Sequence, residues 1–363
     1  MKVGIVGLPN VGKSTLFNCI SKSKAQSENY PFCTIDPNVS IVNVPDLRLD
    51  KLSSLINPQK IIPTTLKIVD IAGLVKGASK GEGLGNKFLS NIRETDAIIH
   101  VLRCFDDPNI IHVDGKINPL SDKEVVEYEL VLKDIEIIEK RLEKLKKTLR
   151  SGSSEIKKEI EVLEKVLLQL ENMSVDRKKY SDDQFEDYIK PLELISFKPM
   201  LYVCNVGERD LSSGNIYVDD LKNVVENKDS EIIVISAKIE SEINELESFE
   251  EKKIFLDDLG LEESGSNKLI RSSYNLLNLH SYFTAGKKEV RGWTINIGDS
   301  AYDAAGQIHT DFQKGFICAE VISYYDYVQY GSELKVKEAG KMRIEGKDYI
   351  VSDGDIMRFR FNI

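Results

Sequence analysis

The sequence lacks three features, and each absence narrows the kind of protein it encodes. No apolar run approaches the ~18 residues of a membrane-spanning helix, so we expect no membrane partner. The five cysteines, at positions 19, 33, 104, 204 and 318, have no paired spacing, which predicts reduced thiols in a cytoplasmic protein rather than a disulfide framework. Positive charge is not in excess, because the net charge is −10. This argues against indiscriminate nucleic-acid binding, and we expect no DNA partner.

The length and composition are typical of a globular protein with several domains. A chain of 363 residues favours two or three domains. With 41% hydrophobic and 30% charged residues, the chain has enough apolar material for a packed core. The first residues lead directly into an apolar strand pattern, so we expect no signal peptide.

A phosphate-binding motif stands near the N-terminus. Residues 7–14 read Gly-Leu-Pro-Asn-Val-Gly-Lys-Ser and match the pattern G-x-x-x-x-G-K-[ST]. A short apolar strand pattern precedes the motif, and an amphipathic helix pattern begins at Thr15. Backbone N–H groups at the helix N-terminus should therefore surround the phosphates. We expect Lys13 to reach the β- and γ-phosphates and the Ser14 hydroxyl to bind Mg²⁺.

Two further segments follow in the order found in GTPases. A β-branched strand ends in D-x-x-G, where Asp70 would hold a magnesium-bound water and Gly73 would donate its N–H to the γ-phosphate. Residues 30–37 are bracketed by prolines and are not expected to be helical. Within them, Thr34 is the candidate switch threonine, a second hydroxyl ligand of Mg²⁺ when the γ-phosphate is present. The predicted metal ligands are thus Ser14 and Thr34, with Asp70 acting through water.

Two residues bear on the mechanism of hydrolysis. Leu74 stands where Ras-type enzymes carry the glutamine that orients the attacking water, and it forms no hydrogen bonds. We therefore expect slow intrinsic turnover, with hydrolysis dependent on a cation, on backbone positioning or on a partner. Asn10 lies inside the phosphate loop, where its side-chain carbonyl would help to hold a monovalent cation such as K⁺ against the phosphates. The alternative is an ordinary turn asparagine.

The base-recognition segment departs from the guanine pattern. Residues 205–208 read Asn-Val-Gly-Glu where a GTPase has Asn-Lys-x-Asp. The carboxylate, Glu208, is one methylene longer than aspartate, and Val206 replaces the lysine that covers the ring. Adenine offers no N1–H or 2-amino group, so its site needs amide or backbone contacts, some of which Asn205 would supply. ATP is favoured over GTP, although glutamate sometimes substitutes for aspartate. A later strand pattern ends in the loop expected behind the base, with residues Ser236, Ala237 and Lys238.

A helical insertion interrupts the nucleotide-binding pattern. Apolar residues recur with heptad spacing in two runs that are separated by a polar turn at 150–154. The runs are Val131, Ile135, Ile138, Leu142, Leu145 and Leu149, followed by Ile156, Ile160, Leu163, Leu167 and Leu170. This predicts an antiparallel helical hairpin. Its first arm carries a basic cluster at positions 140, 141, 144, 146, 147 and 150, which is either a solvated helix face or an arm that faces RNA or the ribosome.

The last eighty or so residues carry no nucleotide motif. The pattern predicts a strand and turn at 293–298, a helix from about Ala301, β-rich stretches at 319–322 and 348–351, and a final strand at 357–361. This mixture indicates a small α+β recognition module. We interpret the polar cluster that begins at His309 as a surface loop with a capping role rather than a catalytic site.

Several of these stretches together resemble the Obg-like ATPase family, and most closely its bacterial branch of ribosome-binding ATPases. The resemblance covers essentially the whole chain. It is carried by residues 7–15, 30–38, 70–89, 282–286 and 308–312. Asp36 departs from the pattern, since a glutamate is expected there.

The resemblance implies an α/β, Ras-like P-loop NTPase domain with an inserted antiparallel coiled-coil hairpin and a small C-terminal TGS domain of β-grasp-like α+β fold. The expected boundaries are 1–118 with 196–280 for the nucleotide domain, 119–195 for the hairpin and 281–363 for the TGS domain. The implied activity is hydrolysis of ATP by a monomer that binds the ribosome, with the large subunit as the expected partner. Residues implied to bind nucleotide are Asn10, Val11, Gly12, Lys13, Ser14, Thr15, Asn205 and Val206. The catalytic candidates are Lys13, Thr34 and Gly73.

Two rival functions stay open on the sequence. The first is a conventional GTPase, which competition between purine nucleotides would distinguish. The second is a non-catalytic scaffold in which the nucleotide only stabilises the fold, a reading to which Leu74 lends some weight.

Overall fold

The computed structural model describes residues 1–22, 38–71, 84–112, 115–148, 154–225 and 230–362. These residues form two compact units. The first comprises residues 1–22, 38–40 and the described part of 68–266, and the second comprises residues 41–67 and 267–362. No helix among these residues is long and apolar enough to cross a bilayer.

The described residues contain twelve strands and fourteen α-helical segments. The strands are β1 Lys2–Val6, β2 Val39–Asn43, β3 Lys60–Ile62, β4 Thr65–Asp70, β5 Ala97–Arg103, β6 Met200–Asn205, β7 Ile232–Ile235, β8 Leu279–Ala285, β9 Glu289–Asn296, β10 Phe316–Ile322, β11 Arg343–Glu345 and β12 Ile356–Phe361. The helices are α1 Lys13–Ser21, α2 Leu47–Ile56, α3 Leu84–Arg93, α4 Pro119–Thr148, α5 Ser154–Glu171, α6 Asp182–Gln184, α7 Ile216–Val225, α8 Ala237–Ile243, α9 Phe249–Asp258, α10 Gly265–Leu276, α11 Ala301–Ile308, α12 Thr310–Lys314, α13 Tyr324–Tyr330 and α14 Glu333–Glu338.

The first unit is built on a sheet with the strand order β2-β4-β1-β5-β6-β7. Strands β1, β5, β6 and β7 are parallel neighbours, and every side chain of β5 is buried. Apolar runs of this kind are typical of parallel sheets that are covered on both faces. Because such strands present their carboxyl ends at one edge, the loops after β1, β6 and β7 lie where α/β proteins bind ligands. The strand patterns predicted before the phosphate loop and before Ser236 are confirmed as β1 and β7.

The predicted heptad runs lie on two long helices, α4 and α5, which pack against each other. Their buried side chains form one cluster with residues of the segment that follows, notably Tyr180, Ile189 and Leu194. The seam residues in this cluster are Val131, Ile138, Leu142 and Leu145 of α4 and Ile160, Leu163 and Leu170 of α5, with Ile135, Ile156 and Leu167 partly buried. Leu149 lies outside the described residues. The heptad spacing therefore identified the buried face of both helices correctly.

Glutamates pair with most of the basic cluster on α4. Arg141 and Lys146 reach across to Glu159 and Glu164 of α5, at 2.6 and 2.7 Å. Lys140 and Lys147 pair with glutamates four residues before them on α4. Interspersed charges of both signs are typical of a solvated helix face and give no strong positive field.

The second unit is built on a mixed sheet with the order β11-β10-β12-β8-β9-β3. One face packs against helix α11 through Tyr282, Ile295 and Ala304, among others. The other face packs against α2 and α13 through residues such as Leu52 and Tyr327. Segment 41–67 therefore contributes both a helix and the edge strand β3 to this unit.

Most of the predicted C-terminal elements are confirmed, but one is wrong. Residues 348–351 form no strand. They lie in a turn in which Ile350 makes an isolated bridge to Ser300. The strand nearby is β11, which starts five residues earlier at Arg343 and pairs with β10. His309 caps helix α12, since its side chain accepts the backbone N–H of Asp311 at 3.2 Å. The capping role predicted for this cluster is thus confirmed, but the predicted loop is wrong, because Thr310–Lys314 form helix α12 behind this cap.

A fully buried histidine in the first unit makes stability depend on pH. His100 on β5 has no exposed surface, and neither ring nitrogen has a hydrogen-bond partner among the described residues. Burial lowers the pKa of His100 from 6.5 to about 4, against an opposing effect of Glu127. At neutral pH the folded protein therefore contains His100 with an uncharged imidazole ring.

We expect folding stability to fall as the pH is lowered from about 6.5 to about 4, because the unfolded chain then binds a proton that folded His100 does not. A shift of this size corresponds to about 3 kcal/mol once the pH reaches the lower value. The measurement is the free energy of urea unfolding against pH, for the wild type and for His100→Phe. The variant should lose less stability over this window, and parallel curves for the two proteins would refute the assignment.

Candidate nucleotide site

The phosphate loop connects β1 to α1 through a tight turn that only small residues allow. Gly12 has φ 92°, a left-handed conformation that favours glycine. A Cβ on Gly7 would lie 2.7 Å from the carbonyl oxygen of Val101, so the loop approaches strand β5 closely there. Helix α1 then begins at Lys13, and Ser14 and Thr15 in its first turn are exposed. The motif thus forms the strand, turn and helix N-terminus that anion binding requires.

The Asn205 side chain fastens this loop to the rest of the sheet edge. It is 5% exposed, and its Nδ2 donates to the carbonyl oxygen of Val11 at 2.8 Å. Its Oδ1 accepts the backbone N–H of Ala237 at 2.9 Å, at the start of α8. Both ends of the amide are therefore engaged with the protein. The geometry gives Asn205 a positioning role that joins the loops after β1, β6 and β7.

The ammonium group of Lys13 is paired with the carboxylate of Asp70 at the end of β4. Lys13 is 9% exposed, so the pair is largely shielded from water. The structure thus brings together two of the residues predicted to act on the γ-phosphate and on magnesium. Phosphate oxygens and a divalent cation are the groups that would compete for the two partners.

A loop after β5 contacts the phosphate loop through Asn10. The Asn10 side chain donates through Nδ2 to the carbonyl oxygen of Ile111 at 3.1 Å, and its own carbonyl oxygen contacts no donor in the part of the chain that the structure describes. Asn10 also has φ 65°, a conformation that asparagine adopts more readily than most residues.

Arg103 organises this second loop, and sequence reasoning did not identify it. The guanidinium is buried and donates to the carbonyl oxygens of Phe105, Asp107 and Ile110 at 3.0 to 3.2 Å. It therefore fixes the turn that presents Ile111 to Asn10. The available signal was a charged residue at the end of an otherwise apolar strand pattern, since a buried arginine needs several acceptors.

The residues predicted to lie near the base differ in how far their side chains are exposed to solvent. The Val206 side chain is 2% exposed and packs into the core with Val218 and Leu221, so any base contact would need its main chain. Glu208 is exposed. In the loop after β7, Ser236 and Ala237 are buried, whereas Lys238 is exposed. The structure places all of them at the carboxyl ends of β6 and β7.

Three predicted residues, Thr34, Gly73 and Leu74, lie outside the described residues, as does Asp36. Among the described residues no group of three or more histidine, cysteine or carboxylate side chains could hold a metal ion. The predicted magnesium ligand within the described part is thus the exposed hydroxyl of Ser14, which follows Lys13, the partner of Asp70.

Comparison with known proteins places this site in a family. Residues 2–162 match a family model described as 50S ribosome-binding GTPase, and residues 279–362 match one described as a protein of unknown function, YchF-GTPase_C. The ribosome-binding ATPase YchF of Haemophilus ducreyi is 53% identical over 362 residues, which cover 100% of this chain and 99% of the relative. The chain belongs to the YchF family. The Bacillus subtilis YchF, also named a ribosome-binding ATPase, is 51% identical, with 100% of both chains covered.

A solved YchF structure has the same fold. The YchF GTPase of Schizosaccharomyces pombe is 41% identical and superposes with a TM-score of 0.89 over 99% of this chain and 97% of its own. The P-loop GTPase-like α/β fold and the separate C-terminal unit are therefore features of YchF proteins from a yeast as well as of this chain. The names of these relatives differ in the nucleotide, since the bacterial proteins are called ATPases and the yeast protein a GTPase.

Proposed function

We propose that this chain is a ribosome-binding ATPase, which binds ATP, hydrolyses it slowly and changes its affinity for the ribosome with the nucleotide state. The observation that carries the proposal is the phosphate loop held by Asn205, with Lys13 at its end in the first turn of α1. Curated relatives of more than half identical sequence and full coverage bear the name ribosome-binding ATPase, which supports both the activity and the partner. A cytoplasmic location follows from the ribosome as partner.

Magnesium fits the residues that are present. Ser14 offers an exposed hydroxyl at the N-terminus of α1, and Asp70 lies next to Lys13 at the end of β4. We propose that Ser14 and Thr34 bind the ion and that Asp70 holds one of its waters. When bound, the ion would neutralise charge that develops on the β- and γ-phosphates.

The protein's own groups act by positioning and by charge. Backbone N–H groups of the loop from Asn10 to Thr15 hold the phosphates, and Lys13 contributes a positive charge to the transferred phosphoryl group. Gly73 would donate its N–H to the γ-phosphate. Leu74 offers no group to orient water, so slow turnover is part of the proposal.

The remaining parts of the proposal concern architecture and partners. We propose that α4 and α5 form an antiparallel coiled-coil hairpin over residues 119–195 and that residues 281–363 form a TGS domain. The nucleotide domain would then comprise 1–118 and 196–280, of which residues 41–67 and 267–280 pack with the second unit. The packed seam of α4 and α5 and the mixed sheet of the second unit support these assignments. We further propose that the chain acts as a monomer and contacts the large ribosomal subunit, which the description of the first family model supports.

We expect ATP to displace a fluorescent nucleotide at least about tenfold more effectively than GTP, in the presence of Mg²⁺. The physical reason is that a guanine site needs an aspartate and a covering lysine, whereas this chain has the exposed Glu208 and the core residue Val206. A tenfold preference corresponds to about 1.4 kcal/mol. Preference for GTP would instead support the GTPase reading that the name of the yeast relative suggests.

We also expect turnover to fall several-fold when K⁺ is replaced by Na⁺ at constant ionic strength. The Asn10 side chain is held by its bond to Ile111, and its carbonyl oxygen has no partner among the described residues, so this oxygen is the group that a monovalent cation near the phosphates would bind. Asn10→Ala should lower turnover in K⁺ and abolish the difference between the two salts. Equal rates of the wild type in both salts would contradict the potassium proposal while leaving the ATPase assignment intact.

A further inference from the structure

The second unit contains a cavity where strand β8 ends and strand β12 continues. The two strands run parallel but pair at a single position, Phe283 with Ile356. Strand β8 ends at Ala285, whereas β12 runs on to Phe361. A cavity of about 470 Å³ lies at this point and is lined by the ends of both strands, including Ala285 and Phe359. Its volume is within the range of sites that bind ligands.

One edge of β12 faces this cavity, and among the residues that the structure describes no strand lies beside that edge beyond the end of β8. The other edge is paired with β10 along its length, from Ile356 with Ile322 to Phe361 with Phe316. The strand is therefore held in an extended conformation by one neighbour while its second edge stays open. Backbone groups on an open strand edge are the feature that an extended peptide recognises when it adds a strand to a sheet.

The cavity is lined from both faces of the sheet. One wall is apolar and consists of Ile308, Phe312, Met357 and Phe359. The opposite wall consists of Ile322, Tyr327, Met342 and Ile356. Successive side chains of a strand point to opposite faces. An extended segment in line with β8 would thus place consecutive apolar side chains into the two walls.

The charged residues around the cavity balance one another. Arg358 lies 3.7 Å from Glu333, and Arg360 pairs with Glu320, which is 7% exposed. The two remaining charged residues of the lining, Lys288 and Glu289, have opposite signs. The site therefore presents no excess charge of one sign, which suits a neutral apolar occupant rather than a phosphate or a strongly charged tail.

We propose that this cavity binds a short, extended and apolar peptide segment of a partner protein, which continues the track of β8 and pairs with the open edge of β12. The assignment concerns the region that matches a family model of unknown function, and it goes beyond the nucleotide-dependent activity proposed above. It depends neither on the identity of the nucleotide nor on hydrolysis.

The chain contains a natural fluorescent reporter close to this cavity. Trp293 is the single tryptophan of the chain. Its indole Nε1 donates to Thr284 Oγ1 at 2.9 Å, and Thr284 lines the cavity. We expect a soluble octapeptide with a central Val-Ile-Val-Ile and Ser-Gly ends to change the Trp293 emission in a saturable way. A control peptide with proline at alternate central positions should leave it unchanged, because proline removes the main-chain donors.

Substitution of the full-length protein tests the location of binding. Met342→Trp, which fills the lining, should weaken binding of the fluorescein-labelled peptide about tenfold in an anisotropy titration. Ile344→Trp is the matched control, since Ile344 is 70% exposed on β11 and does not line the cavity, and it should bind like the wild type. The comparison of the two peptides on wild-type protein needs no variant, so it is decisive even where Met342→Trp fails to fold.

Three outcomes would overturn the proposal. Equal binding of the valine–isoleucine and proline peptides would show that main-chain pairing is not involved. If neither peptide binds but a small hydrophobic dye does, and Met342→Trp weakens the binding of the dye, the cavity is a small-molecule site instead. If neither peptide binds but the protein self-associates in sedimentation velocity, and Met342→Trp weakens that self-association, the occupant is a second copy of this chain.

Discussion

We expect Lys13→Ala to lower the turnover of ATP by about a hundredfold to a thousandfold, while the protein stays folded. The expectation rests on the position of the ammonium group, which lies at the start of α1 and is shielded from water beside Asp70. A positive charge in such a place stabilises developing negative charge far more than an exposed one does, and removal of one such group typically has effects of this size. The measurement is steady-state phosphate release at saturating ATP.

The matched control is Lys67→Ala. Lys67 lies on the same strand as Asp70, but its side chain is exposed, so its loss should leave turnover unchanged. Thermal unfolding of both variants establishes that they are folded. Binding to ribosomes should be followed by co-sedimentation with ATP, with a non-hydrolysable analogue and with ADP. Unchanged turnover in Lys13→Ala, or ribosome binding that ignores the γ-phosphate, would favour the reading in which the nucleotide only stabilises a scaffold.

Gly12→Ala is expected to lower nucleotide affinity by about a hundredfold, which corresponds to about 2.7 kcal/mol. Two costs combine at this position. Alanine is strained at φ 92°, and its Cβ would overlap the Nδ2 atom of Asn205. Asn205 has little freedom to move away, because its amide bonds both Val11 and Ala237. The substitution therefore breaks the link that holds the phosphate loop.

Gly298→Ala is the control for general destabilisation by an alanine in a left-handed conformation outside the nucleotide site. Gly298 has nearly the same φ, 93°, but a Cβ there would meet no atom of the described residues within 4 Å. The Gly298→Ala variant should be less stable to unfolding because its backbone is strained. It should keep its affinity for nucleotide, as measured by titration with a fluorescent ATP analogue. Equal losses of affinity in the two variants would show that general destabilisation of the protein, rather than a local change in the phosphate loop, is responsible.

Local patterns predicted the parts of this protein whose structure is determined by neighbours in sequence. The glycines and lysine of the phosphate loop occur with a strand before them and a helix after them, so motif and context agree. The heptad seam of α4 and α5 was readable for the same reason, since burial follows the spacing of apolar residues.

Contacts between residues far apart in the sequence could not be predicted from local patterns. The two bonds of Asn205 depend on the positions of Val11 and Ala237, which no local pattern specifies. Strand β3 pairs with β9, more than two hundred residues later, and the sequence of β3 itself does not indicate this partner. The turn at 348–351 was mistaken for a strand because β-branched and aromatic residues also suit an extended turn.

The bond between Asn205 and Val11 also constrains how the protein is made. The two residues are 194 positions apart, and β6 must be in place beside β5 before the amide reaches the loop. At about 5–20 residues per second, synthesis needs roughly 10–40 s to pass from one to the other. During that interval the emerging chain already carries its phosphate loop, but not the side chain that secures it. We therefore expect the fully secured phosphate loop to form late in synthesis, after helices α4 and α5 have been made.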